Sequence, residues 1–355
     1  MKRFIYTALA LIAAACTSTE YIDVEELEPE LVLNAQMTTG SALHHIHLSS
    51  STRSMVKAEH GATVSVTYND SPVPETLTED DTEGRTSASY SYTKYLRAGD
   101  RLVIRAQSGS KSVTSTVTVP EAPLYFDASV QENVQHATPD SFLDFGYTEP
   151  GAVYQIPEDT LYPYEAWHLL KVDLKDFPGD SYYRVGAYVV TRLYDENGVT
   201  KESNQRAIWL DTSAEPVFGA ASTSGGMLDA LAEGDNSYNL FTDSVFSDQD
   251  YTLKLYFQEV QIASSRKYLS YEQNPETGEW EEHATPPEGY TYEAYILVKL
   301  FSISFDQYIY LKALGLDDMG FLFSEPVSIP SNVEGGLGFV SVDNCVARYI
   351  PLSTL

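Results

Sequence analysis

The amino-acid sequence predicts an all-β protein. An N-terminal β-sandwich of immunoglobulin-like or transthyretin-like type is expected over residues 31–120, and a larger β-rich domain with one or two short helices over 121–355. Three observations predict it. Apolar and polar residues alternate in short runs, turn-forming clusters separate those runs, and helical spacing is convincing in one place.

The first region shows the alternation most plainly. In GATVSVTYND (61–70), Ala62, Val64, Val66 and Tyr68 fall on one face, with Thr63, Ser65, Thr67 and Asn69 on the other. Successive side chains of a strand point to opposite faces, so this is a half-buried strand. LVLNAQM (31–37) puts Leu31, Leu33, Ala35 and Met37 together. GDRLVIRAQ (99–107) turns Leu102, Ile104 and Ala106 inward and Arg101 and Arg105 outward, and SVTSTVTVP (112–120) stops at a proline. NDSP (69–72) and EDDTEG (79–84) read as turns, and Pro120 and Pro123 mark the boundary.

Longer strands follow. The candidates are YEAWHLLKVDL (164–174), SYYRVGAYVVTRLY (181–194), DYTLKLYFQEV (250–260) and YTYEAYILVKLFSI (290–303). In 181–194, Tyr183, Val185, Ala187, Val189 and Leu193 share a face, opposite Tyr182, Arg184, Tyr188, Arg192 and Tyr194. DENG (195–198) then suits a hairpin. A face of tyrosine and arginine fits water or a partner, and tyrosine outnumbers phenylalanine 26 to 14.

One helix is predicted over 304–315. Ser304 and Gln307 have the spacing of a capping box, in which each side chain satisfies an orphan backbone N–H of the first turn. Phe305, Tyr308, Ile309 and Lys312 follow at helical spacing, and Gly315 is placed to end the helix in a left-handed cap. GGMLDALAEG (225–234) is a second, shorter helix candidate.

The N-terminus carries its own signal. Met1-Lys2-Arg3 is a basic head, and Phe4 to Ala15 is an apolar or small-residue run that fits a secretory signal and is too short to span a bilayer. Ala13-Ala14-Ala15 precedes Cys16 like a bacterial lipobox, with Ala13 where leucine is usual. Residues 1–15 then form a lipoprotein signal peptide, and Cys16 is the site of lipidation, with palmitate among its acyl chains. The alternative is an ordinary signal peptide with Cys16 incidental. Two or more acyl chains anchor stably where one does not. Residues 16–30, rich in Glu and Asp, serve as an acidic tether.

Composition excludes some partners. A formal net charge of −29 repels nucleic acid and anionic lipid surfaces. With Cys16 acylated, Cys345 is alone and no intramolecular disulfide forms; beside Val342, Val346 and Tyr349 it reads as a small buried hydrophobe.

Few constellations suggest chemistry. In a strand, His45 and His47 share a face at a spacing zinc sites use, with His44 and Ile46 on the other, but the sequence designates no third ligand. The plainer reading is solvent-facing strand residues. EDDTEG (79–84) has the oxygens a calcium ion wants without EF-hand spacing. GGLGF (335–339) lacks the context of a phosphate loop and reads as a tight turn into the last strand. No G-x-S-x-G or H-E-x-x-H occurs. No catalytic residue, metal site or cofactor is assigned. Aromatic residues are the better contact candidates: Tyr162, Tyr164, Trp167, Trp280, Tyr290 and Tyr292 lie among prolines and acids, as a surface stacking on sugar or peptide would have them. Against this, strand positions commonly fill a sheet core, whereas Trp280 lies in NPETGEWEEH (274–283), an exposed hairpin tip by composition.

Several pieces together resemble a family of Bacteroidetes lipoproteins defined by a domain of unknown function. They are the lipobox cysteine, LVLNAQM, HIHLSSS (45–51), GATVSV, VTVP (117–120), FTDSVFSDQDYTLKLYF (241–257), SFDQYIYLK (304–312) and SEPVSIPSNVEGGLGFV (324–340). In the last, Asn332, Gly335, Gly336, Gly338 and Phe339 match the family's closing motif. The resemblance implies an outer-membrane, lipid-anchored accessory to a TonB-dependent β-barrel transporter, possessing no catalytic residues to carry over. It leaves the nutrient, whether small molecule, glycan or peptide, unspecified. A fimbria-associated structural or adhesive lipoprotein is the second expectation and a hydrolase the third.

Overall fold

A computed structural model describes residues 28–51, 56–71, 75–80, 86–134, 136, 166–219, 236, 238–247, 249–263, 268–273, 275, 278, 280–318 and 329–352. The fold is all-β, with several sheets and few helical segments. The signal segment, Cys16 and the helix candidate 225–234 lie outside the described residues.

The N-terminal part contributes β1 (Glu30–Thr38), β2 (Leu43–Ser51), β3 (Val56–Ala58), β4 (Thr63–Tyr68), β5 (Glu75–Thr76), β6 (Ala88–Thr93), β7 (Arg101–Ser108) and β8 (Lys111–Thr118). There follow β9 (Tyr125–Val134), β10 (Trp167–Lys175), β11 (Tyr182–Tyr194), β12 (Thr200–Ile208) and the short helix α1 (Pro216–Gly219). Next come β13 (Leu240–Thr242), β14 (Asp250–Gln258), α2 (Glu259–Ala263), β15 (Leu269–Gln273), β16 (Trp280–Ala284) and β17 (Thr291–Ile303). The chain closes with α3 (Phe305–Asp318), β18 (Val333–Glu334) and β19 (Val340–Pro351). Among the described residues no helix is long and apolar enough to cross a membrane.

A nine-stranded sheet runs through the molecule in the order β12-β11-β17-β19-β1-β2-β3, with β13 added on β11 and β6 on β2. Its centre is β19, which changes partner along its length. Val340 to Asp343 pair in parallel with β1, and Asn344 to Pro351 pair antiparallel with β17. One strand from the far end of the chain thereby joins the first and last thirds of the sequence.

Two smaller sheets cover one face of this wall. The sheet β18-β8-β7-β4-β5 closes a core around Leu33, Met37, Ile46, Leu48, Val64, Leu102 and Ile104. Val333, Val340 and Val342 belong to that core too, so residues 31–120 do not hold all of their own interior. The sheet β14-β10-β9 closes a second core around Leu170, Val172, Tyr183, Val185, Leu253, Phe257, Val298 and Leu300. Each such aliphatic side chain contributes about 1.5–3 kcal/mol by leaving water. Val340 and Val342 enter the first core, and Val346 and Ile350 pack on the second. These even-numbered positions share one face of β19, so both cores lie on the same side of the sheet.

The other face is only partly covered. There α3 lies over Phe301, Ile303 and Leu240, with Cys345 packed against the same cluster. The described helix continues past Gly315 to Asp318, so Gly315 does not end it in a left-handed cap. The outer residues of β11 divide accordingly. Tyr182 packs on Phe305 and Tyr308, and Arg184 lies over the Phe301 ring, while Arg192 sits over Tyr295 further along.

Candidate functional site

The partly covered face holds a groove of about 560 Å³ between α3 and the outer surface of β1 and β2. That size falls within the usual range for small-ligand sites. Its floor follows from strand alternation. Leu33, Ala35 and Met37 enter the first core, so Asn34, Gln36 and Thr38 of β1 face outward and line the groove, beside Ser341 of β19. His45 and His47 of β2 form one flank, their rings stacked at 6.4 Å between centroids. Gln307, Tyr310, Leu311 and Leu314 of α3 form the other, with Tyr238 and Phe339. Tyr310 lies flat on Phe339 at 3.9 Å with 7° between the planes.

Gln307 departs from its expected role. Ser304 Oγ accepts a hydrogen bond from the Gln307 backbone N–H at 3.2 Å, as a helix cap should. The return half of the capping box is missing. The Gln307 side chain is 1% exposed, lines the groove, and has no hydrogen-bond partner for Oε1 or Nε2 among the described residues. A buried amide left this way costs about 1–3 kcal/mol per unsatisfied group.

Charged groups sit at the groove's inner end. Arg184 contributes to the lining, with its guanidinium 4.2 Å from the Phe301 ring centroid and its buried Nε unpartnered among the described residues. Beneath, Asp343 is buried. Burial pushes its carboxyl above the usual range, against a Thr38 hydrogen bond and the charges of Arg184 and Lys299.

The histidines divide as alternation requires. His44 is buried rather than solvent-facing; its Nε2 donates to the Lys94 carbonyl at 3.0 Å and burial lowers its pKa. His45 is half exposed and lies 3.4 Å from Asp80. Among the described residues no three His, Cys, Asp or Glu side chains gather as a metal site. In the acidic loop, Glu79 bonds His60 at 2.5 Å and the Gly61 N–H at 2.8 Å, and Asp80 accepts from Ser89 and Ser91. Protein donors thus occupy these two carboxylates; residues 81–84 lie outside the described residues.

The six aromatic candidates do not define the groove. Tyr162 and Tyr164 lie outside the described residues. Trp167 is buried at the start of β10, edge-on to His136 at 4.7 Å, so it offers no open stacking face. His136 in turn stacks on Tyr256 at 3.8 Å and bonds Asp211 at 2.7 Å. Burial raises the Asp211 carboxyl, but the bonds from His136 and Ser213 outweigh it and leave the pKa lowered. Trp280 starts β16 opposite Gln273 of β15, in the hairpin its flanking residues suggested. Tyr290 is 39% exposed in the turn before β17, and Tyr292 is half-buried, edge-on to Tyr268 at 5.6 Å. Of the residues that do line the groove, His45 and His47 stand out in the sequence by their spacing, whereas Gln307, Tyr310 and Phe339 carry only structural signals: a cap, a helical face and a glycine-rich turn.

A family model described as "Domain of unknown function (DUF4249)" matches residues 18–346, and the chain belongs to that family. No curated protein matches it. Among solved structures, a chain titled "Biofilm associated protein - BSP domain" is similar at 6% identity with a TM-score of 0.19. That similarity covers 90% of this chain and 58% of the other, so the chain spans less than two thirds of the structure it matches.

Proposed function

We propose that this DUF4249 chain is a lipid-anchored, non-enzymatic binding component of the outer membrane that serves a TonB-dependent nutrient transporter. The observation that carries the reading is the groove under α3, whose wall holds a buried amide with both polar atoms unpaired among the described residues. A fully structural face would satisfy or replace such a group, whereas a ligand can supply its partners. The LALIAAAC segment (9–16) supports the anchor and the acidic 16–30 stretch supports a tether. Purification of the native protein from membranes in mild detergent is expected to bring down a large β-barrel. Cys16→Ala is expected to release the protein into the soluble fraction. Recovery without any barrel, or membrane retention of Cys16→Ala, overturns the corresponding half of the reading.

A second reading, a structural or adhesive surface component, draws on β12. Among the described residues this strand is at the edge of the nine-stranded sheet, and most of its side chains are exposed. An open edge can accept another strand. Pilin-like subunits in the native preparation, in place of a barrel, are the expected sign of it.

A further inference from the structure

We infer that the groove under α3 takes a neutral, hydroxyl-rich ligand, a mono- or disaccharide, with Gln307 as its buried recognition group. The inference deepens the proposed binding function and rests on it only for the biological setting.

The donor set argues for this chemistry. A carboxamide offers an acceptor oxygen and two donor hydrogens on one rigid plane, the match for hydroxyls that both give and receive. Among the described residues Gln307 has both ends unpaired. Asn34 shares the lining, and its Oδ1 already accepts from the Phe339 N–H at 2.9 Å. That bond orients the amide and leaves its NH₂ as the end for a ligand oxygen. Gln36 supplies a third amide on the same floor.

Charge excludes other classes. Among the described residues Arg184 is the one permanently charged side chain lining the groove, and Asp343 lies in its field. The Arg184 Nε is a donor that a sugar oxygen can meet as well as an anion can, and the chain's net charge of −29 disfavours anions. A peptide is disfavoured by the sheet itself. β1 lies between β19 and β2, and β2 between β1 and its partners β3 and β6. Neither strand is an edge of the described sheet, so neither offers a free edge for strand addition, and side chains are left to read the ligand. Tyr310, held flat by Phe339, gives an aromatic wall with a hydroxyl tip, suited to the mixed apolar and polar surface of a sugar ring.

The test uses the mature chain and a panel of neutral mono- and disaccharides, read by calorimetry and saturation-transfer NMR, with uncharged di- and tripeptides as the opposing set. At least one saccharide is expected to bind, and Gln307→Leu is expected to weaken it tenfold or more while the melting temperature holds or rises. A rise follows because leucine removes an unsatisfied buried amide without leaving a large void. Gln36→Ala, on an exposed side chain, is the second variant and is expected to weaken binding several-fold without touching stability. Binding unaffected by both variants, binding of peptides alone, or no saccharide binding at millimolar concentration overturns the inference. Saccharide binding by a protein that recovers no β-barrel upholds the groove assignment and sinks the transporter reading; the reverse result sinks the groove assignment alone.

Discussion

The Cβ that Gly338 lacks would lie 2.1 Å from the carbonyl oxygen of Leu33. The glycine-rich segment runs directly alongside β1, where Leu33 N–H donates to the Leu337 carbonyl and Ala35 N–H to that of Phe339. Gly338 also has φ +115°, a conformation L side chains rarely adopt. Gly336 is equally confined, its absent Cβ 2.4 Å from the Leu31 carbonyl.

Gly338→Ala is therefore expected to cost on the order of 3 kcal/mol or more, since the Leu33 backbone of β1 or the glycine-rich segment must move. Gly109 is the control. It has φ +58° with nothing within 4 Å of the missing Cβ, so Gly109→Ala carries only conformational strain, about 1 kcal/mol. Urea denaturation midpoints compare the two. Equal losses would show that the approach to β1 is not tight.

Asp243 and Asp176 form a buried acid pair. Burial, then the hydrogen bond and charge of Asp176, push the Asp243 carboxyl from 3.8 up to about 7. Tyr183 Oη donates to Asp176. The native state thus keeps a proton that the unfolded chain has already lost. This contribution is fully present below about pH 4, is lost as pH rises through about 7, and stays absent above. Asp243→Asn stays neutral, so relative to wild type it is expected to gain stability at pH 8, on the order of 1–3 kcal/mol, and little at pH 4. Thermal unfolding at the two pH values reads the difference; a gain that does not grow with pH contradicts the shared proton.

Ser304→Ala is expected to destabilise the fold by about 1 kcal/mol, because it removes the acceptor for the Gln307 N–H at the start of α3. Ser304→Asp retains an acceptor and is expected to recover most of the loss. Chemical denaturation of the three proteins measures this, and failure of aspartate to rescue would mean that the hydroxyl serves packing.

Cys345 is expected to resist alkylation. Burial raises its thiol pKa to about 11, and the charge of Asp343 adds to the effect, so little thiolate exists at pH 8. Iodoacetamide labelling followed by peptide mass spectrometry should show slow modification of the native chain and fast modification in urea. Equal rates would mean that the site opens readily.

The sequence by itself determined what depends on near neighbours. Alternation in 61–70 and 181–194 assigns each side chain to a face, because a strand's period is set by its own backbone. The start of α3 at Ser304 is likewise a local signal. Tertiary structure decided what depends on distant partners. Nothing near Val340 announces that it will lie beside Ala35, joining two cores along one strand. Gln307 shows the division within a single residue: its backbone obeys the capping pattern, but its side chain leaves the cap for the groove wall. Spacing along the chain specifies which atoms can meet within one turn or one strand. Which of them do meet is settled by the burial and hydrogen bonding of segments brought together only when the chain closes on itself.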